Sequence, residues 1–142
     1  MTPALREAWQ REGFQAWALE PGFLPGFAVL MYRPCVDGLE FRVEVLAQHC
    51  NESGGVHGGF LSTMADVWLG YNVAHRLPRE TRIATAGLSV DFLATAHAGH
   101  WLHSTIDRVK VGQRLCHASG AILSEHGVVA AMRGSFAIRA AG

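Results

Sequence analysis

The chain has 142 residues, 49% of them hydrophobic and 17% charged. That length suits one domain with ample material for a core, and the apolar share hints at a buried subunit interface as well. Twelve Lys and Arg balance twelve Asp and Glu, so the formal net charge is zero, without the basic surplus or stripe of a nucleic-acid binder.

Residues 3–13 read as a short helix, with Thr2 as cap, Pro3 at the first helical position and Gly13 as stop. Leu5, Ala8 and Trp9 form its apolar face. Residues 14–26 are rich in Pro and Gly and read as an irregular lead-in. Residues 27–33 are a strand candidate, followed by a turn at Cys35-Val-Asp-Gly38, where Asp37-Gly38 is a hairpin signal. Residues 39–47 alternate. Leu39, Phe41, Val43, Val45 and Ala47 share one face, and Glu40, Arg42, Glu44 and Leu46 the other, the pattern of a half-buried antiparallel strand.

Residues 48–58 form a polar loop containing glycine. From Gly59 to about Leu77 the chain reads as one long helix. Its apolar residues, among them Phe60, Leu61, Met64, Val67, Trp68, Leu69, Tyr71 and Val73, cover nearly the whole circumference, so it should be buried. Pro78 ends it. Four strands are expected at about 82–93, 100–110, 114–124 and 128–138, the last three joined by short turns at Gly112 and Gly127. The outline is an α+β domain, with a long central helix wrapped by a curved antiparallel sheet and a short N-terminal helix beside it. One small sheet cannot cover the helix on all sides, so a second subunit is expected to complete its burial.

The cysteines are Cys35, Cys50 and Cys116. Their odd number and lack of framework spacing fit a reducing compartment. Residues 1–15 mix both signs of charge with no apolar run, unlike a signal peptide. No segment offers the ~20 uninterrupted apolar residues of a spanning helix. The expectation is a soluble cytoplasmic protein with neither nucleic acid nor membrane as partner.

The densest chemical signal runs from Asn51 to Asp66. His57-Gly58-Gly59 lies where a loop enters the buried helix. Helix N-termini leave backbone N–H groups unpaired and carry partial positive charge, and glycine lets a ligand approach them closely. Such a site can hold an anion or a developing oxyanion. Asp66 falls between Ala65 and Val67 in the apolar helix, with no Lys or Arg three or four residues away. A desolvated carboxylate serves as general base or nucleophile; the plainer readings are a bond to a Ser or Thr on a neighbouring strand, or a solvent-facing Asp. Eight residues separate Gly58 from Asp66, about 12 Å of helical rise. One reacting carbon cannot easily sit within ~3 Å of both. If both serve one site, helices from two subunits run antiparallel and the site is composite.

The pattern Asn51…Gly54-x-x-His57-Gly58-Gly59…Asp66 resembles the PaaI-like branch of the hotdog-fold acyl-CoA thioesterases. Thr85…Val90-Asp-Phe92-Leu93…Gly99 is similar to that family's third strand and following turn, and the order of elements matches from about Pro25 to Arg139. The resemblance implies residues 1–26 as N-terminal helix and lead-in, 27–142 as the hotdog thioesterase domain, and a homodimer or homotetramer (a dimer of dimers). It implies hydrolysis of an acyl-CoA with no cofactor and no metal. By position, the Gly58 N–H, helped by Asn51, polarises the thioester carbonyl. Asp66 of the partner subunit activates water or attacks directly, Thr85 orients that water, and His57 positions the thioester or assists the leaving thiolate. Gly59 contacts the substrate. Arg108, Lys110 and Arg114, around the turn at Gly112, most simply form a solvated hairpin end; in an acyl-CoA enzyme they would meet the nucleotide phosphates.

Other features have plainer readings. His97-x-x-His100-x-x-His103 is a tight histidine cluster, but strand positions three apart face opposite ways. Cys116 beside His117 reads as a small core residue. Trp68 and Tyr71 read as packing residues of the central helix. Two rival functions share the fold: an enoyl-thioester hydratase or dehydratase, whose usual Asp-x-Asn-Pro-x-His run is missing here, and a non-catalytic acyl-CoA-binding protein.

Overall fold

The computed structural model describes residues 1–17 and 21–139. Helix α1 (Pro3–Arg11) and the short strand β1 (Gln15–Ala16) precede the hairpin of β2 (Met31–Cys35) and β3 (Gly38–Glu44). A 3₁₀ turn (Ala47–His49) leads into helix α2 (Gly58–His75). Then come β4 (Arg82–Phe92), β5 (Trp101–Lys110), β6 (Leu115–Ser124) and β7 (Gly127–Arg139). The strands form one antiparallel sheet in the order β1-β2-β3-β5-β6-β7-β4, with α2 packed along one face as in the hotdog fold.

Apart from β2 and β3, the long elements lie within two residues of their expected bounds, because turn glycines and Pro78 punctuate clear apolar runs; β3 stops at Glu44, three residues short of the expected 47, ahead of the 3₁₀ turn at Ala47. Three more expectations shift. The strand expected at 27–33 starts only at Met31, since Phe27 and Ala28 close a turn on the Leu24 carbonyl. Thr2 occupies the cap position of α1, but its side chain makes no capping bond; its backbone N–H donates to Glu44 Oε2 at 2.7 Å instead. The last three strands form the expected meander, while β4 lies beyond it, at the sheet edge beside β7.

Main-core packing follows the alternation. Phe41, Val43, Leu102, Ile122, Met132 and Phe136 face Met64, Trp68 and Leu69 of α2, and all are buried. Strand β3 is not half-buried, as its pattern suggested, because α1 covers its outer face. Trp9, Phe14 and Met31 form a second small core there. The Arg42 guanidinium lies 4.1 Å from the Phe14 ring and 4.9 Å from the Trp101 ring, and is paired with Glu12 at 2.7 Å. Cation–π contact and ion pairing together offset the cost of burying this charge.

Asn72 is a polar residue buried in the main core. Its Oδ1 accepts the Leu39 N–H at 2.9 Å, and its Nδ2 donates to the Leu39 and Trp68 carbonyls. Gly38 faces it without a side chain, because a β-carbon there would collide with Asn72 Oδ1. Asn72→Leu keeps the volume but strands buried backbone groups of Leu39. We expect a loss of about 2 to 4 kcal/mol, read from urea unfolding; a loss under about 0.5 kcal/mol would contradict the clamp.

Candidate active site

Helix α2 is not buried all round in one protomer. Ser62, Thr63, Asp66, Gly70, Tyr71 and Ala74 stay half-exposed along one stripe. It carries small and polar residues, and Phe23 and Phe92 stand exposed near it. Asp66 is therefore only partly withdrawn from water within the protomer.

Thr85 comes to Asp66, making the bond to a neighbouring strand's Thr that the plainer reading of this Asp expected. Its Oγ1–H donates to Asp66 Oδ1 at 2.6 Å, the length of a charge-assisted bond. Strand β4 bulges between Thr85 and Gly87. The pair opens onto a cleft of about 240 Å³. Apolar Leu24, Val67, Tyr71, Ile83 and Phe136 line it, with Gly70 and Ala74 leaving room on the helix. Tyr71 thus does more than pack, and Leu24 brings the lead-in to the cleft wall.

At the start of α2, His57 is the cap residue, with extended backbone (φ −68°, ψ 136°). Its Nδ1 accepts the Gly59 N–H at 2.8 Å. The Gly59 N–H is thus committed to His57, and a β-carbon at Gly59 would stand 2.9 Å from that nitrogen. Gly59 accordingly serves the cap, and the Gly58 N–H is left as the free donor among the described residues. The His57 Nε2 has no hydrogen-bond partner among the described residues. The rim of a Phe92 ring stands 3.2 Å from where a Gly58 β-carbon would lie.

Asn51 holds its loop: its Oδ1 accepts from the Ser53 and Gly55 N–H groups at 3.0 and 3.2 Å. That leaves its Nδ2 as the outward donor. Asn51, His57 and Gly58 thus gather at one end of α2. Asp66 and Thr85 lie two helical turns away, so the protomer does not join the two halves.

His49, inside the polar loop at 48–58, proves to be its anchor. It is 4% exposed and stacks on Phe60 at 4.1 Å. Its Nδ1 accepts the Leu46 N–H and its Nε2–H donates to the Phe27 carbonyl. Its own carbonyl accepts the His57 N–H at 2.8 Å. Burial first, with the Phe27 bond opposing it, holds the imidazole below its ordinary range. A second proton would fall on Nδ1, facing a donor. The folded state therefore disfavours the cation, so stability is full above the ordinary imidazole value of about 6.5 and falls as pH drops below it. His103, lowered by burial before all else, adds to the same trend. The melting midpoint should fall between about pH 7 and pH 5, less steeply in His49→Phe; equal slopes would contradict the assignment.

Of the basic residues near Gly112, Arg108 lines a groove on the sheet face opposite α2. Lys110 pairs across strands with His117 on that face, and Arg114 sits at the β5–β6 turn, its carbonyl accepting the Ile138 N–H. None of the three lines the Asp66 cleft. The histidine cluster also differs from its expected membership. His97 and His100 meet at 5.7 Å, but the third ring is His126, 4.8 Å from His100, while His103 packs on Trp101. Cys116 is buried and His117 exposed, on opposite faces of β6.

The thioesterase superfamily model matches residues 53–131. Over 91 residues the chain is 43% identical to a Pseudomonas aeruginosa protein named an esterase; the match covers 63% of this chain and 66% of that relative's length. A Streptococcus pneumoniae hypothetical thioesterase, solved with coenzyme A, superposes with a TM-score of 0.69 at 20% identity, over 78% of this chain and 85% of that one. The Escherichia coli PaaI protein from the phenylacetic acid degradation operon superposes with a TM-score of 0.64 at 20% identity, over 97% and 90% of the two chains.

Proposed function

Because the chain belongs to the thioesterase superfamily, we propose that it hydrolyses an acyl-CoA at a composite site shared by two subunits. The observation that carries this reading is the 2.6 Å Thr85–Asp66 bond at the mouth of an apolar cleft. It stands on the half-open stripe of α2, where a second copy of α2 can bring its own Gly58.

The thioester carbonyl oxygen accepts the Gly58 N–H of one subunit, with Asn51 Nδ2 as a second donor. The free positive end of α2 stabilises the oxyanion as it forms. Asp66 of the other subunit takes a proton from water held by Thr85, the water oxygen bonds the acyl carbon, and the C–S bond then breaks. The alternative course has Asp66 attack the carbon itself, forming an anhydride that water later opens. The thiolate leaves readily, steadied by a hydrogen bond from the His57 Nε2–H, and takes its proton from the protonated Asp66 or, in the alternative course, from solvent. The acyl group occupies the cleft beside Gly70 and Tyr71. No metal or cofactor is needed for this route, and the site is expected to lie in the cytoplasm.

The test is thiol release over a panel of short, long and aromatic acyl-CoAs, with crotonyl-CoA included. Release from at least one saturated ester supports the reading. Loss of the crotonyl absorbance without free thiol would replace it with hydration. Binding of the esters with no turnover would replace it with a sensor.

A further inference from the structure

Cross-strand pairing sets polar side chains in two rows on the sheet face turned away from α2. Arg108 stands opposite Ser119, and Ser119 opposite Arg133. One step along, Lys110 stands opposite His117, and His117 opposite Ser135. Neighbouring strands are about 4.8 Å apart, so three obligate cations and an imidazole share a small area with the Asp107 carboxylate, which Ser119 holds. In a chain of zero formal net charge, this leaves a positive excess on one face.

Most of these residues line a groove of about 420 Å³. Two internal bonds organise it. Ser119 Oγ–H donates to Asp107 at 2.8 Å, which ties down the bulge beside Arg108. Ser135 Oγ lies 3.0 Å from His117 Nδ1; with the hydroxyl donating, the Nε2–H is left as the free ring donor. Leu88 borders this groove and also the cleft over Asp66 and Thr85. The single edge strand β4 separates them.

We propose that this groove binds the phosphates of the substrate's nucleotide portion, with Arg108 and Arg133 as the anchoring guanidiniums and His117 as a further donor. Planar guanidinium forks match phosphate oxygens in pairs. The Ser119 and Ser135 hydroxyl protons are taken by Asp107 and His117, so the guanidiniums and the His117 Nε2–H are the donors that meet the anion. The identity of the ligand rests on the acyl-CoA reading; the groove itself does not. Arg133, the central member, lies far along the chain from the basic residues around Gly112 and is joined to them only by strand pairing.

The experiment is calorimetric binding of adenosine 3′,5′-bisphosphate, which carries nucleotide phosphate but no thiol. Arg133→Gln, exposed and outside the core, should bind it at least about ten-fold more weakly than the parent. Arg108→Gln should show a similar loss, and the parent's affinity should fall as salt rises. Equal affinity in parent and variants would overturn the assignment. So would dependence on Arg133 for 4′-phosphopantetheine but not for the bisphosphate, which would point to a protein-borne arm. Thiol release is scored separately. Arg133-dependent bisphosphate binding without turnover would keep the groove and remove the hydrolase reading; turnover with Arg133-independent binding would do the reverse.

Discussion

Asp66→Asn should lower kcat for acyl-CoA hydrolysis by about 1,000-fold, within the range of a lost general base or nucleophile. The amide keeps the size of the carboxylate and can still accept from Thr85 Oγ1. It can neither take the proton from water nor attack the acyl carbon. Asp66 is only half-buried in the protomer, so the fold should tolerate the change and the melting midpoint should stay near that of the parent. Thr85→Val keeps the acid but loses its hydrogen bond, and a loss nearer ten-fold is expected. Stopped-time thiol release measures both. An Asp66→Asn enzyme within about five-fold of the parent would remove Asp66 from the chemistry.

Gly58→Pro should lower kcat by about 100- to 1,000-fold, the effect of deleting one oxyanion donor. The substitution is chosen for its backbone. Gly58 is the first residue of α2, where proline is well accepted because that N–H has no partner within the helix. His57 before it already has the extended conformation that a following proline requires. The pyrrolidine ring would press on Phe92, but that ring is 55% exposed and free to yield. The helix should therefore still start at the same place, with its key N–H gone. Gly58→Ala keeps the N–H and should cost less than about ten-fold. Equal losses in the two variants would mean that space, not the donor, matters at this position.

Much of this architecture is legible in the residues. Alternation from Leu39 to Val45, the apolar circumference of α2, and glycines between the last strands each report local geometry, which periodicity records well. The sheet order is not local. Nothing near Arg82 signals that β4 will cross to the far edge beside β7. Arg42 and Glu44 read as a solvent face because their cover, α1, lies some thirty residues earlier. The motif from Asn51 to Asp66 marks the chemistry, and the family pattern leads to Thr85. Neither signals that His57 Nδ1 would claim the Gly59 N–H, since that depends on how one cap closes. His49 hides for a similar reason: a histidine in a polar loop looks solvated until Phe27 and Phe60 close on it. Arg133 joins its cluster only through strand pairing, and His126 through the β6–β7 turn that brings it to His100.

The pairing of a carboxylate from one subunit with the amide of another is tested most directly by mixing inactive proteins. Asp66→Asn and Gly58→Pro chains would be unfolded together, refolded, and assayed for thiol release. Every mixed dimer then holds one intact site, built from the Asp66 of one chain and the Gly58 of its neighbour. Random pairing should return about a quarter of the parental activity from two nearly dead parents. Verified mixed dimers with no more activity than either parent would contradict a shared site.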